Sequence, residues 1–180
     1  MRALFFSFAL MGCGSVVMET VAQLERLSPL DADPGQIAVA IDLPDGFAIH
    51  PDSAIMSLSV ERRDLGQSRA EEFVLQQTGA EWTVFRVAQA DLERLSEIQD
   101  LARSWETEDP KATKGSFSVG ALPCVKNSDA DRSETFSISI QLATDAPFKP
   151  LIRNAKVSSI LSRSERRELP ICPLRAPKPL

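Results

Sequence analysis

The fold is decided by residues 133–142, which read SETFSISIQL and give the clearest alternation of polar and apolar residues in the chain. Successive side chains of an extended strand point to opposite faces, so Phe136, Ile138 and Ile140 share one face while Ser137 and Ser139 share the other. A period of two over this length is typical of a strand with one buried face. The stretch therefore predicts a β-strand whose apolar side lies in a core.

The same alternation recurs along the rest of the chain. It marks six further segments: residues 36–43, 54–62, 71–77, 82–87, 115–125 and 148–157. The turn around Gly79 joins two of them into a predicted hairpin. Pro150 has no backbone N–H, so it places the last strand at a sheet edge. Seven short strands separated by turns predict a mainly β fold, an immunoglobulin-like two-sheet sandwich.

One segment has a different period. Between the fourth and fifth strands, apolar residues such as Leu92, Leu95 and Ile98 recur every three or four positions, with charged residues filling the opposite face. This spacing predicts an amphipathic helix over about residues 90–106, which ends before Pro110. The helix is expected to cap one end of the sandwich or to cover one of its sheets.

Composition sets the class of protein. The 180 residues are 43% hydrophobic and 25% charged, which is enough for one domain with a substantial core. The net charge of −5 argues against a nucleic-acid partner, which requires a basic excess. The basic groups are expected to be solvated and salt-bridged, with contact to anionic lipid headgroups or a cell-wall polymer as the functional alternative. They are Arg62 and Arg63, then Arg163, Arg166 and Arg167 among glutamates, and Arg175 and Lys178.

Cysteine usage points to an oxidising compartment. Cys124 and Cys172 form a pair within the body of the chain, which predicts a disulfide. Closing the loop between them is worth about 4 kcal/mol in the chain-entropy model. Two separate buried thiols are the alternative. No metal and no cofactor are expected, because His50 is the only histidine and no Cys-x-x-Cys spacing occurs.

The first residues of the chain resemble an export signal. Arg2 precedes a short apolar run over residues 3–11, far shorter than the roughly 20 residues of a membrane-spanning helix. Leu10-Met11-Gly12-Cys13 then resembles the lipobox of bacterial lipoproteins. That resemblance implies that Cys13 is lipidated and becomes the new N-terminus, so that the protein binds a membrane through this anchor. An ordinary cleaved signal and a buried core segment are the alternatives.

Gly14 bears on the choice of membrane. In enterobacterial lipoproteins an aspartate at this position favours retention in the inner membrane, so Gly14 favours the outer membrane, with the domain facing the periplasm. The body also resembles poorly characterised alphaproteobacterial envelope lipoproteins at Ile41-Asp42-Leu43-Pro44-Asp45-Gly46, at Gly115-Ser116-Phe117-Ser118-Val119-Gly120 and at Cys124. This second resemblance implies no reaction.

The predicted organisation has four parts. Residues 1–12 are a lipoprotein signal peptide and residues 13–35 a tether broken by proline and glycine. Residues 36–169 are the β-sandwich domain, and residues 170–180 are a proline-rich tail expected to be extended.

Several polar and aromatic residues are candidate sites. Adjacent Glu71 and Glu72 must point to opposite faces of a strand. Glu106, Glu108 and Asp109 are expected to form a solvated cluster at the helix end. Asp129 and Asp131 lie in a polar loop that lacks EF-hand spacing. Trp82 and Trp105 are expected in the core or between helix and sheet, with Trp105 the better choice for an exposed contact.

These features predict a non-enzymatic interaction or scaffold module anchored in the bacterial envelope. Its partner would be another envelope protein, bound along an open sheet edge. The alternative is a ligand-binding module for lipid or cell-wall glycan, which would need an apolar cavity or aligned exposed aromatics. A hydrolase is a third hypothesis and requires His50 to lie beside a serine or a carboxylate.

Overall fold

The computed structural model describes residues 29–78, 84–127, 130–159 and 169–173. Nine strands and one long helix lie within these ranges. The strands are β1 (Ala38–Asp42), β2 (Phe47–Ile49), β3 (Ile55–Arg62), β4 (Gln67–Thr78), β5 (Val84–Val87), β6 (Thr113–Gly120), β7 (Pro123–Val125), β8 (Thr135–Gln141) and β9 (Lys149–Lys156). The helix α1 (Leu92–Glu108) lies between β5 and β6.

A seven-stranded antiparallel sheet dominates the fold, in the order β6-β3-β4-β5-β1-β8-β9. Strand β4 belongs to both halves of this sheet: it pairs with β3 as far as Val74 and with β5 from Leu75 onwards. A strand that changes partners in this way lets a sheet curl back on itself. The mainly β, sandwich-like fold with one inserted helix is therefore confirmed.

The core lies between the two halves of the curled sheet. Val39 of β1, Phe85 of β5 and Ile138 of β8 project into it from one half. Met56 of β3 and Phe73 of β4 project from the other half, and both are fully buried. These are the apolar positions that the period of two assigns to one face of each strand.

Helix α1 confirms its prediction within two residues. It packs on β3, β4 and β6 and buries Leu95, Ile98 and Ala102. At its C-terminal end, Oδ1 of Asp109 accepts hydrogen bonds from the backbone N–H groups of Lys111 and Ala112. This capping turns the chain directly into β6.

Three details of the strands differ from the prediction, the first being that β4 begins at Gln67 rather than at Glu71. Residues 115–125 form two strands rather than one, because the chain turns at Leu122, whose carbonyl accepts a hydrogen bond from the backbone of His50. Strand β2 was not predicted, since three residues are too few to show a period. The hairpin of β4 and β5 is confirmed by their pairing, while its turn lies outside the described residues.

The segment that precedes β1 is packed rather than free. Gln99, only 1% exposed, donates from Nε2 to the carbonyls of Pro29 and Ala32, each at 2.9 Å. Arg103 donates to the carbonyl of Leu30, and the Leu30 side chain packs against the core. Residues 29–35 were predicted as part of a tether, so the packed region begins earlier than expected. Residues 13–28 lie outside the described ranges.

The cysteine pair is a disulfide in the structure. The Cα atoms of Cys124 and Cys172 lie 4.9 Å apart. The backbone N–H of Val125 donates to the carbonyl of Pro170, and the N–H of Cys172 donates to the carbonyl of Val125. The start of the C-terminal tail is therefore held beside β7 as a parallel neighbour of the β2–β7 pair.

Candidate interaction surface

The large sheet has two edge strands, β6 and β9. Edge strand β9 carries several features that discourage further pairing. Pro150 interrupts it, its register with β8 shifts twice, and Asn154 has a positive φ of 50°. Arg153 and Lys156 add exposed positive charge. The prediction from Pro150 that this strand lies at an edge is confirmed.

Edge strand β6 lacks the proline, the register shifts and the positive φ of β9. Its eight residues pair with β3 without a break, from Thr113 opposite Arg62 to Gly120 opposite Ile55. It contains no proline, and Lys114 at its start is its one charged residue. A long and regular edge of this kind is a ready template for another strand.

The hydrogen-bonding pattern shows which backbone groups of β6 face outward. Arg63 donates to the carbonyl of Ala112 at 3.0 Å, just before the strand begins. Because hydrogen-bonded pairs alternate in an antiparallel ladder, Lys114 and every second residue after it bond to β3. The residues between them direct their backbone N–H and C=O groups away from the sheet. The N–H of Thr113 confirms this parity, since it donates to the carbonyl of Asp109 at 3.1 Å.

Three residues of β6 therefore present unused backbone groups: Gly115, Phe117 and Val119. Within the described part of the chain, no hydrogen bond engages these groups. Gly115 is exposed, and Phe117 and Val119 are partly buried. Together they offer three donors and three acceptors in a row, which we call the β6 edge.

The outer face of the sheet beside the β6 edge is flat. Ser116 lies opposite Ser59 and Ser118 opposite Ser57, and the hydroxyl oxygens of Ser59 and Ser116 are 2.7 Å apart. Serine side chains rise little above the backbone, so Ser116 and Ser118 present little bulk beside an approaching strand, whereas Lys114 at the start of β6 lies on the same face.

The inner face of β6 is contacted by the segment that precedes β1. A Cβ atom at Gly115 would lie 2.8 Å from Cδ1 of Leu30, so glycine makes room for this contact. Further along the strand, Phe117 and Val119 pack against the core from the same face. The chain thus enters the domain beside the β6 edge.

A network of charges fastens α1 to the neighbouring strand β4. Glu71 accepts hydrogen bonds from Arg69 at 3.1 Å and from Arg94 at 3.3 Å, while Glu97 binds Arg69 from the helix. The guanidinium of Arg94 also lies 4.5 Å from the ring centroid of Phe73, within the range of a cation–π contact. Hydrogen bonds to Glu71 and then to Glu97 raise the pKa of Arg69. This network joins α1 to β4, in the half of the sheet that also contains β6.

The two adjacent glutamates point to opposite faces of β4, as predicted. The side chain of Glu71 is 19% exposed within the network, whereas Glu72 is exposed. They do not form an acid–base pair.

Arg62 corrects an expectation. It was predicted on a solvated and salt-bridged face, and it is salt-bridged but only 6% exposed. Its Nε donates to Asp64 and its Nη1 donates to Glu108, both at 2.8 Å. The hydrogen bond from Arg62, followed by one from Ser104, lowers the pKa of Glu108. The bond to Glu108 is in turn the largest cause of the raised pKa of Arg62. Glu108 therefore links the helix end to β3, while its side chain remains 55% exposed, as expected for a solvated group. Arg63 is exposed, as expected.

The other predicted sites form local contacts. Nδ1 of His50 lies 3.0 Å from the carbonyl oxygen of Pro51, and the hydroxyl of Ser53 donates to the carbonyl of His50. Asp131 accepts two hydrogen bonds from Ser133, which lower the pKa of its carboxyl. Trp105 is partly buried against the core. In the described ranges no group of three or more potential ligands could hold a metal ion, and no helix is long and apolar enough to cross a membrane.

Several predicted positions cannot be placed. Those outside the described residues are Cys13, Trp82, Asp129, Arg163, Arg166, Arg167, Arg175 and Lys178. The β6 edge, in contrast, was anticipated only as an unspecified open edge, although its sequence was noted as a motif. Comparison of the chain with protein-family models finds no match, and comparisons with curated proteins and with solved structures find none either.

Proposed function

We propose that this protein is a lipid-anchored interaction module of the bacterial envelope, which takes up an extended strand of a protein partner along the β6 edge. The observation that carries this proposal is the row of backbone groups on Gly115, Phe117 and Val119 that no described residue engages. Addition of a strand to an exposed edge is a common mode of peptide recognition, in which main-chain hydrogen bonds supply affinity. The module needs no cofactor.

The affinity of the β6 edge for an added strand depends on how many backbone N–H and C=O groups it offers. Three residues allow six main-chain hydrogen bonds, each worth about 0.5–1.5 kcal/mol net. Their sum of about 3–9 kcal/mol must also offset the loss of translational and rotational freedom. The contact is therefore weak between free molecules and benefits from confinement of both partners at one membrane.

The lipobox-like sequence supplies that confinement. Lipidation of Cys13 would anchor the chain, and Gly14 favours the outer membrane, with the domain on the periplasmic side. Leu30 lies beside Gly115, so the chain reaches the domain on the inner face of β6. The first described residues of the chain and the binding edge then lie on the same side of the domain.

The anchor is tested by the intact mass of the protein extracted from bacterial membranes. The expected mass is that of residues 13–180 plus lipid, rising by two hydrogens on reduction because the Cys124–Cys172 disulfide opens. A mass that lacks lipid or retains residues 1–12 would contradict the anchor. Such a mass would not bear on whether the β6 edge binds a strand.

The edge is tested by site-specific photo-crosslinking in cells, with the photoreactive residue at Ser116. We expect a defined protein adduct that Val119→Pro reduces about tenfold, because proline removes an outward N–H and its ring blocks close approach. Val119→Thr is the matched control, since it keeps both the N–H and the branched shape, and it should retain the adduct. Both variants should remain folded, because the Val119 N–H does not bond to β3. No adduct, or one indifferent to Val119→Pro, would refute strand uptake.

A further inference from the structure

We infer that the strand taken up at the β6 edge is β6 of a second copy of this chain, paired antiparallel about a two-fold axis at Phe117. This inference rests on the proposed function, since it names the partner for the same edge. It follows from the register, the side chains and the position of the anchor.

The outward backbone N–H and C=O groups of β6 favour one register between two β6 strands. Because Thr113 already donates to Asp109, the outward groups still available are those of Gly115, Phe117 and Val119, with Phe117 at their centre. Two such edges use all their groups only when Phe117 lies opposite Phe117 and Gly115 opposite Val119. A shift by two residues in one direction would require the occupied Thr113 N–H. A shift in the other direction would run beyond the end of the strand at Gly120.

The side chains are complementary in this register. Ser116 faces Ser118, so the flat outer face continues across the interface. Lys114 faces Gly120, and the two lysines stand about 20 Å apart along the strands at 3.4 Å per residue. This separation exceeds the Debye length of roughly 8–10 Å at physiological salt, so their repulsion is screened. The small Gly115 leaves room beside the branched Val119.

The symmetry also suits two anchored molecules. A two-fold axis between antiparallel strands of a continuous sheet runs perpendicular to the sheet, so both α1 helices lie on the same face. The contacts of Leu30 with β6 then place both incoming chains on that face as well. This arrangement is compatible with two copies anchored in one membrane. Sharing a membrane also raises their effective concentration, which compensates for a small contact.

Cysteine crosslinking between two differently tagged copies of the full chain in intact cells tests the register. One copy carries Ser116→Cys and the other Ser118→Cys, at exposed positions that the register places directly opposite each other. We expect rapid disulfide-linked heterodimers after mild oxidation. The matched control pairs Ser116→Cys with Ser116→Cys, whose Cα atoms would be about 8 Å apart, beyond the 7 Å limit for a disulfide. Its yield should be about tenfold lower.

Two further outcomes separate this inference from the proposed function. Val119→Pro in both copies should abolish the heterodimer, and intact mass should show that the native Cys124–Cys172 bond persists in every variant. Equal yields in the two cysteine combinations would indicate random collision and would overturn the two-fold register. Absence of any heterodimer, while the Ser116 photo-adduct with a different protein still depends on Val119, would overturn the second copy and retain the strand-binding edge. Loss of both signals would overturn both proposals.

Discussion

Replacing Gln99 by leucine should detach residues 29–35, the segment that precedes β1, from the rest of the domain. The Gln99 side chain is 1% exposed and donates to the carbonyls of Pro29 and Ala32, each at 2.9 Å. Leucine has a similar volume but no donor, so both carbonyls lose their partner. An unsatisfied buried polar group costs about 1–3 kcal/mol. Pro29 is buried and Ala32 only partly so, which sets the expected loss at about 2–4 kcal/mol.

The assay combines thermal unfolding with amide hydrogen exchange. For a domain of this size, about 2–4 °C of melting temperature is lost per kcal/mol, so the variant should melt roughly 5–15 °C lower. Exchange should accelerate at the amides of residues 30–33 before it does so in the sheet, because the segment opens locally. Glu106→Leu, an exposed change on the same helix, is the control and should change the melting temperature by less than about 2 °C.

One result would refute this reasoning. If Gln99→Leu melts within about 2 °C of the native protein and residues 30–33 exchange at the native rate, the two hydrogen bonds do not hold the segment. The packed region of the domain would then begin at β1 rather than at residue 29.

Three further predictions follow from single contacts. Cys172→Ser should lower the free energy of unfolding by about 4 kcal/mol, measured by urea denaturation under oxidising conditions, and a loss below about 1 kcal/mol would contradict a loop-closing role. Glu108→Gln should flatten the acid limb of the stability profile. Because Arg62 lowers the pKa of Glu108 in the fold, the stabilisation is present above the unfolded pKa of about 4.3 and disappears as the pH falls through the folded value. The difference in melting temperature between the native protein and this variant should therefore shrink from pH 6 to pH 3, and a constant difference would exclude the linkage. Gly46→Ala should lower the free energy of unfolding by about 1–3 kcal/mol, since Gly46, in the turn between β1 and β2, has a φ of 88°. Gly35→Ala is the control and should leave the melting temperature unchanged. Equal melting temperatures of the two variants would show that the turn relaxes to accept a Cβ atom.

The local elements could be read from the sequence because their signals are local. The alternation of Phe136, Ile138 and Ile140 marks the buried face of β8, and all three side chains are buried. The spacing of Leu95 and Ile98 likewise identifies the buried face of α1. Each pattern arises within one element and needs no knowledge of its neighbours.

Contacts between distant elements escaped sequence reasoning. The charge of Arg62 suggested a solvated surface, yet Glu108, 46 positions away, makes its burial favourable. Gln99 is a polar residue in an amphipathic helix, and only the carbonyls of Pro29 and Ala32 explain why it is buried. The start of β4 was also missed, since Arg69 and Glu71 lie on the face where apolar residues were expected and are neutralised by the helix.

The β6 edge also combines features that the sequence predicts with features that only the tertiary structure shows. The sequence by itself determined that β6 is an alternating strand of small and apolar residues, and that Cys124 and Cys172 could pair. Only the tertiary structure decided that β6 ends the sheet, with Gly115, Phe117 and Val119 facing outward. The physical reason is that periodicity depends on side chains within one strand, whereas an edge depends on which strands pair. That pairing is determined by the whole core, through contacts such as β3 with both β4 and β6.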